Sequence, residues 1–206
     1  MVEHLPFTDY RDGVGGISVT NLDRIQIYDM VIKKKLLEKS VNGNVIEVGA
    51  GPLCGFILSL KNTLSKTIIE PLAEKYAELR KHLNIEVPNS DEINYFSIGA
   101  DIFVPELYNT ADLILCQNCL DHTTEWAFSL GNLTTYAKKG CIMYFACDLD
   151  FHVPTSNMTG HYNSTYNPKK MIQFLMNLGW NIIYDNEFYM GREGRTAVYL
   201  VCEKER

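Results

Sequence analysis

The sequence predicts a single α/β domain: a seven-stranded, mostly parallel sheet with helices on both faces and an antiparallel hairpin at its end. Three observations point there. Strand-like and helix-like segments alternate from about residue 22 onward, the pattern that lays helices over a parallel sheet. The chain has 206 residues, which is room for one well-buried core and too little for two ordinary domains. The last two strand-like runs are separated only by GREGR, Gly191–Arg195, and glycine at both ends of such a link favours a hairpin.

The elements are expected in the following order. A helix over Leu22–Lys39 precedes a strand at Val45–Val48, a glycine loop and a helix over Leu53–Asn62. A strand at Thr67–Ile69, a helix over Leu72–His82 and a strand at Tyr95–Ile98 come next. Strand Leu113–Cys116, helix Thr124–Lys138 and strand Cys141–Cys147 continue the alternation. The helix over Pro168–Leu178 opens with Asn167 as a cap and proline in the first turn, a good start signal. Strands Ile182–Tyr189 and Thr196–Cys202 complete the set. Before that last helix, HVPTSNMTGHYNSTYN, His152–Asn167, is polar, aperiodic and long for a connection, so it is a cover or a functional loop. The domain is expected to span 1–206, with residues 1–40 forming an N-terminal cap helix region and 41–206 the core.

Composition narrows the function classes. Hydrophobic residues make up 46% and charged residues 21%, ordinary for a globular protein. The net charge of −6 denies the chain the positive field that phosphate backbones need, so no nucleic-acid partner is expected. The start, MVEHLPFTDYRDG, lacks the basic and apolar segments of a signal peptide. No apolar run reaches the roughly 18 residues that span a bilayer. A cytoplasmic location without a membrane partner is therefore expected. Six cysteines stand at 54, 116, 119, 141, 147 and 202, several inside strand-like runs, where cysteine behaves as a small buried hydrophobe. Cys116 and Cys119 form CxxC, which suits redox chemistry or half a zinc site. No second CxxC or histidine pair completes a tetrahedral set, and the motif ends a strand instead of opening a helix. A structural role and no metal are expected.

Chemistry concentrates at NVIEVGAGPLCGF, Asn44–Phe56. A strand ending in Glu47 and turning through Gly49 and Gly51 lets backbone approach a ligand closely. The spacing is GxG without the further xxG of a dinucleotide fingerprint, since Cys54 stands where glycine or alanine would be needed. A nicotinamide-dependent oxidoreductase is thereby disfavoured. The second strand ends in IIEPLAEKY, placing Glu70 at its carboxyl end, where an acid can accept hydrogen bonds from both ribose hydroxyls.

With ADLILCQNCLDH added to these two segments, the sequence resembles the class I S-adenosylmethionine-dependent methyltransferases, a Rossmann-like family. EVGAGPL is similar to their first motif, IEPLAEKY to their ribose-binding segment, SIGADIF to their adenine-side loop and DLILCQNCLDH to their fourth-strand motif. The resemblance covers roughly Val45–Lys204 and implies S-adenosyl-L-methionine as cofactor. It implies that Glu47, Gly49, Ala50 and Gly51 border the methionine part, that Glu70 binds the ribose, and that Pro71 and Leu72 flank the adenine. Gly99, Ala100 and Asp101 would meet the adenine edge, and Gln117 and Asn118 would lie beneath the sulfonium. The chain departs from the family where many members carry an acid and this one has Gly99; Asp101 or the Ala100 backbone can substitute.

Methyl transfer from a sulfonium is an in-line displacement, so the protein mainly aligns the acceptor and excludes water. A hydroxyl acceptor must lose a proton, and histidine suits that task. Of the five histidines, His152 after CDLDF and His122 in NCLDH fall at the carboxyl edge of the sheet, and these two are the candidate bases. Tyr144, Phe151, Tyr162 and Tyr166 could line an acceptor pocket, and DYRDGVGG, Asp9–Gly16, could close over the cofactor. The compact acidic chain has no large insertion to grip a macromolecule. A small hydroxylated acceptor, such as a sugar or a secondary-metabolite intermediate, is expected. The alternatives are an N-methyltransferase, with Asp148 and Asp150 near the acceptor nitrogen, and a non-catalytic cofactor-binding protein of the same fold.

Overall fold

Strand β1 (Asn44–Val48) is buried along nearly its whole length, Val45 and Ile46 almost completely, as a strand covered on both faces must be. In the computed structural model, which describes residues 30–52, 56–85, 92–123, 125–149, 168–190 and 195–205, β1 is the third of seven strands. It pairs in parallel with β2 (Ser65–Ile69) on one side and β4 (Ala111–Gln117) on the other. β3 (Ile93–Phe96) adds to β2, and β5 (Ala137–Leu149) to β4, both in parallel. β7 (Arg195–Lys204) runs antiparallel to both β5 and β6 (Trp180–Met190). The order is β3-β2-β1-β4-β5-β7-β6, so the expected mostly parallel sheet and antiparallel hairpin are present. The hairpin's second arm lies inside the sheet and its first arm lies at the edge.

Period-two alternation divides β4 between two cores. Leu113 and Leu115 face one side with Leu36 of helix α1 (Met30–Ser40), Phe56, Ile57 and Leu60. Ile114 and Cys116 face the other with Leu130, Leu133 and Tyr136 of α3 (Trp126–Tyr136) and Met171 and Leu175 of α4 (Pro168–Asn177). Helices therefore cover both faces. Trp126 of α3 meets Phe174 of α4 edge to face at 5.3 Å, and Trp180 Nε1 donates to Thr134 Oγ1 at 2.8 Å. These two contacts lock α3, α4 and β6 together. Helix α2 (Ala73–His82) buries only Ala73 completely. It is held to the glycine loop by Arg80, whose Nη1 donates to the Pro52 carbonyl at 2.8 Å.

Several boundaries differ from the expected ones. No α-helix forms over residues 56–62; a single 3-10 turn, Ile57–Ser59, ends when Leu60 goes extended. Asn62 then adopts a left-handed φ of 57° and its carbonyl accepts the Asn42 N–H at 2.7 Å, which steers the chain directly into β2. β3 lies two residues earlier than expected, at 93–96. Its last carbonyl, on Phe96, accepts the Glu70 N–H at 3.0 Å, and Pro71 has no N–H to carry the ladder further. α3 starts at Trp126 and hands over directly to β5 at Ala137, four residues before the expected strand start. The extra length is absorbed by a register shift opposite Ala111–Leu113 and by Gly140 at φ 75°. Residues 22–29 of the expected first helix, DYRDGVGG, Leu53–Gly55, the polar loop with His152, and Gly191–Gly194 lie outside the described residues.

Candidate functional site

The chain leaves β1 toward β2 but later places β4 on β1's other side, so the winding direction reverses between β1 and β4. Open parallel sheets bind ligands in the crevice at such a reversal, beyond the carboxyl ends of the strands. A cavity of about 660 Å³ opens at that place.

Its first wall is the glycine loop after β1. Gly49 and Gly51 both adopt left-handed backbone, at φ 68° and 65°, which side chains disfavour. Their surroundings differ. A Cβ built on Gly49 would overlap the Cβ of Cys119, whereas one on Gly51 would meet no atom of the described residues within 4 Å. Gly49 is glycine because the loops after β1 and β4 touch there. Gly51 presents bare backbone to the cavity.

The second wall is the end of β2. Glu70 is only 7% exposed, and its carboxylate accepts the Gly51 N–H at 3.2 Å and the Leu72 N–H at 3.0 Å. It therefore ties the glycine loop to the start of α2 while lining the cavity. Glu47, 8% exposed, accepts the Ile57 N–H at 2.8 Å and lines the cavity too. Every such bond is charge-assisted, and so among the stronger ones that hold a loop.

The third wall follows β4. Asn118 is left-handed at φ 48° and its N–H donates to the Ala146 carbonyl at 2.9 Å, fixing the turn from β4 into the 3-10 segment Leu120–His122. That turn carries Gln117, Asn118, Cys119, His122 and Thr123 to the cavity. Cys116 Sγ and Cys119 Sγ stand 3.2 Å apart.

All the cofactor-side candidates except Asp101 border this one cavity: Glu47, Gly49, Ala50, Gly51, Glu70, Pro71, Leu72, Gly99, Ala100, Gln117 and Asn118. Asp101 is exposed and off the wall. Its carboxylate folds back over Gly99, in the space a Cβ there would need, within a turn closed by the Ile102 N–H to the Gly99 carbonyl at 3.1 Å. The Ala100 carbonyl already accepts Asn132 Nδ2 at 2.9 Å. His122 is exposed and on the wall; His152 lies outside the described residues. Tyr144 is not a pocket residue: it is buried in the sheet core, tilted against Phe56 at 6.4 Å between ring centroids. Phe56 reaches the cavity instead.

Sequence reading missed Val48, Phe56, Ile69, Tyr76, Cys119 and Thr123. Tyr76 was within reach, because it stands four positions after Leu72 in the same helical turn and so shares its face. Val48 and Ile69 are the last residues of their strands and follow from the crevice rule itself.

No protein-family model matches the chain, and no curated protein does. Solved structures do. The [4+2]-cyclase SpnF superposes with a TM-score of 0.61 at 11% identity, over 83% of this chain and 79% of its own. The N-methyltransferase NodS from Bradyrhizobium japonicum gives 0.58 at 13%, over 84% and 94%. The 1,6-didemethyltoxoflavin-N1-methyltransferase of Burkholderia thailandensis, solved with bound 1,6-didemethyltoxoflavin and S-adenosylhomocysteine, gives 0.60 at 12%, over 97% and 84%. The fold is that of the class I S-adenosylmethionine-dependent methyltransferases.

Proposed function

We propose that the protein is an S-adenosylmethionine-dependent methyltransferase that O-methylates a small hydroxylated molecule, such as a sugar or a secondary-metabolite intermediate, in the cytoplasm and without a nucleic-acid or membrane partner. One observation carries the cofactor choice. Among the described residues on the cavity wall, Glu47 and Glu70 are carboxylates and none is lysine or arginine. A dinucleotide would bring its pyrophosphate to the glycine loop beside Glu47 with no lysine or arginine there to receive it. S-adenosylmethionine instead brings a sulfonium and an ammonium cation, which Glu47 attracts, while an acid in the place of Glu70 suits the ribose of either.

The residues fit that cofactor. Glu70 accepts the ribose hydroxyls with lone pairs left over from its two backbone bonds, since an ionised carboxylate offers about four acceptor sites. Gly51 leaves room for the ligand to lie against the backbone. Glu47 borders the methionine part, Leu72 and Tyr76 flank the adenine, and Gln117 and Asn118 lie under the sulfonium. When bound, the cofactor supplies a methyl group already activated for displacement. What remains for the chain is to align the acceptor oxygen, exclude water and take a proton. His122, exposed on the wall beside Asn118, takes that proton; His152, the other candidate base, follows the fifth strand in sequence.

N-methylation is the second reading, favoured by N-methyltransferases among the structural neighbours, NodS and the 1,6-didemethyltoxoflavin enzyme. The test begins with calorimetric titration by S-adenosylhomocysteine and by NAD. Binding of the first alone is expected, and binding of NAD alone would sink the proposal. Labelled S-adenosylmethionine with panels of hydroxylated and amine acceptors then decides between O- and N-methylation. Tight cofactor binding with no transfer to any acceptor would favour a cofactor-holding protein without methylation chemistry.

A further inference from the structure

The CxxC pair joins the end of a buried strand to the cavity wall, with its two thiols in hydrogen-bond contact. Cys116 is fully buried at the end of β4, fixed by register to Val48 and Phe145 on either side. Cys119 belongs to the irregular turn beyond it and lines the cavity. Their sulfurs are 3.2 Å apart, against roughly 2.05 Å in a disulfide, so about one ångström of movement would join them. The cysteines at 141, 147 and 202 are buried, and burial raises the thiol pKa of Cys141 and Cys202.

We propose that Cys116 and Cys119 are a reversible dithiol–disulfide pair in the cavity wall, and that closing the disulfide weakens cofactor binding. The regulatory half of this inference rests on the cofactor reading given above. The oxidant is a hydroperoxide, small enough to enter the cavity. The Cys119 thiolate attacks the peroxide oxygen, giving a sulfenic acid and releasing hydroxide, which takes up the thiol proton as water. The Cys116 sulfur then displaces hydroxide from the Cys119 sulfur, forming the S–S bond and a second water. Two thiols lose two electrons and two protons, and the peroxide gains them.

Coupling to binding follows from Gly49. Cys116 is held in the ladder, so the movement falls on Cys119. The Cβ of Cys119 already fills the space a side chain on Gly49 would take, so its displacement is felt at Gly49 and in the loop that also carries Gly51. Glutathione-type thiols would reopen the bond by exchange.

The experiment treats the purified chain with hydrogen peroxide, removes excess with catalase, and divides it. One portion is digested without reduction for mass spectrometry; the other is titrated with S-adenosylhomocysteine before and after dithiothreitol. The expected result is a loss of about 2 Da mapped to a Cys116–Cys119 bridge. It comes with a roughly tenfold or greater drop in affinity that dithiothreitol reverses. Cys116→Ala should show no bridge. A bridge mapped to Cys54 instead, or only irreversible sulfinic acid at Cys119, overturns the pair. A Cys116–Cys119 bridge with unchanged affinity overturns the coupling. A bridge in a protein that never binds S-adenosylhomocysteine overturns the cofactor reading, and the coupling with it, while leaving the dithiol chemistry standing.

Discussion

Glu70 accepts a hydrogen bond from the backbone N–H of Gly51 at 3.2 Å, so the acid that lines the cavity also fixes the loop opposite it. Binding and loop order therefore share one side chain, and variants of Glu70 must separate charge from shape. Glu70→Gln keeps one acceptor oxygen and loses the charge. It should weaken S-adenosylhomocysteine at least about tenfold, since hydrogen bonds to a charged group contribute roughly 1.5–3 kcal/mol each, and should lower the melting temperature, because Gly51 and Leu72 bond to different carboxylate oxygens and the amide NH2 can accept from neither. Glu70→Ala orphans both loop N–H groups and should lower the melting temperature further. Calorimetry and thermal unfolding on both variants check this; equal affinity in Gln and wild type would refute the ribose contact.

Gly51 and Gly49 should respond differently to substitution. A Cβ at Gly51 meets none of the described residues within 4 Å, but Gly51→Val strains a left-handed φ, at roughly 1–2 kcal/mol, and fills ligand space, so binding should vanish with a modest fall in melting temperature. Gly49→Ala drives a Cβ into Cys119 and should destabilise the chain more. Near-normal cofactor affinity in Gly51→Val would show that the loop serves the fold alone.

If His122 takes the acceptor proton, His122→Ala should cut turnover by about 10²–10⁴ while cofactor affinity stays near wild type. Because Asn118 sits in the same turn, affinity must be measured alongside the rate. Full activity of both His122→Ala and His152→Ala would favour an amine acceptor.

Tyr136 is fully buried at the end of α3. Its hydroxyl accepts the Val104 N–H at 2.8 Å, and its ring stacks on Phe103 at 5.8 Å. Tyr136→Phe orphans that N–H and should cost about 1–3 kcal/mol. Burial also raises its pKa above the ordinary 10.0. The folded chain thus holds that proton more tightly than the unfolded one, and the stabilisation is complete below pH 10 and is lost as the pH climbs toward the folded pKa. Between pH 9 and 11 the wild type should lose melting temperature faster than Tyr136→Phe. Parallel slopes would mean that the phenol binds its proton equally in the folded and unfolded chains.

Most of the sheet was legible because its strands carry local signals. β1, β4 and β5 are apolar runs, and the GREGR link betrays the hairpin. The position of β7 inside the sheet was not legible, because pairing β7 with β5 is a contact between Leu149 and Thr196 and their neighbours, far apart in sequence and without local trace. The missing helix over 56–62 has a similar cause: Leu58, Leu60 and neighbouring polar residues suit a helix, but the Glu47 carboxylate and the left-handed Asn62 impose a turn. At the site, acids and glycines were readable from spacing. Cys119 was not, because its place on the wall depends on Gly49 lacking a side chain. Asp101 failed for a reason no motif contains, since its carboxylate is spent covering Gly99.

The interior place of β7 also says something about how a ribosome must deliver this molecule. The strand that joins β5 to β6 is the last of the seven to be synthesised, so until residues 195–204 emerge, β5 shows an open edge and β6 has no place in the sheet. Exposed strand edges invite pairing with other chains. Termination between Met190 and Arg195 would therefore leave β5 with an open edge and β6 without a partner strand, a product with a strong tendency to aggregate. The same chain released only after Lys204 could close its sheet in one step.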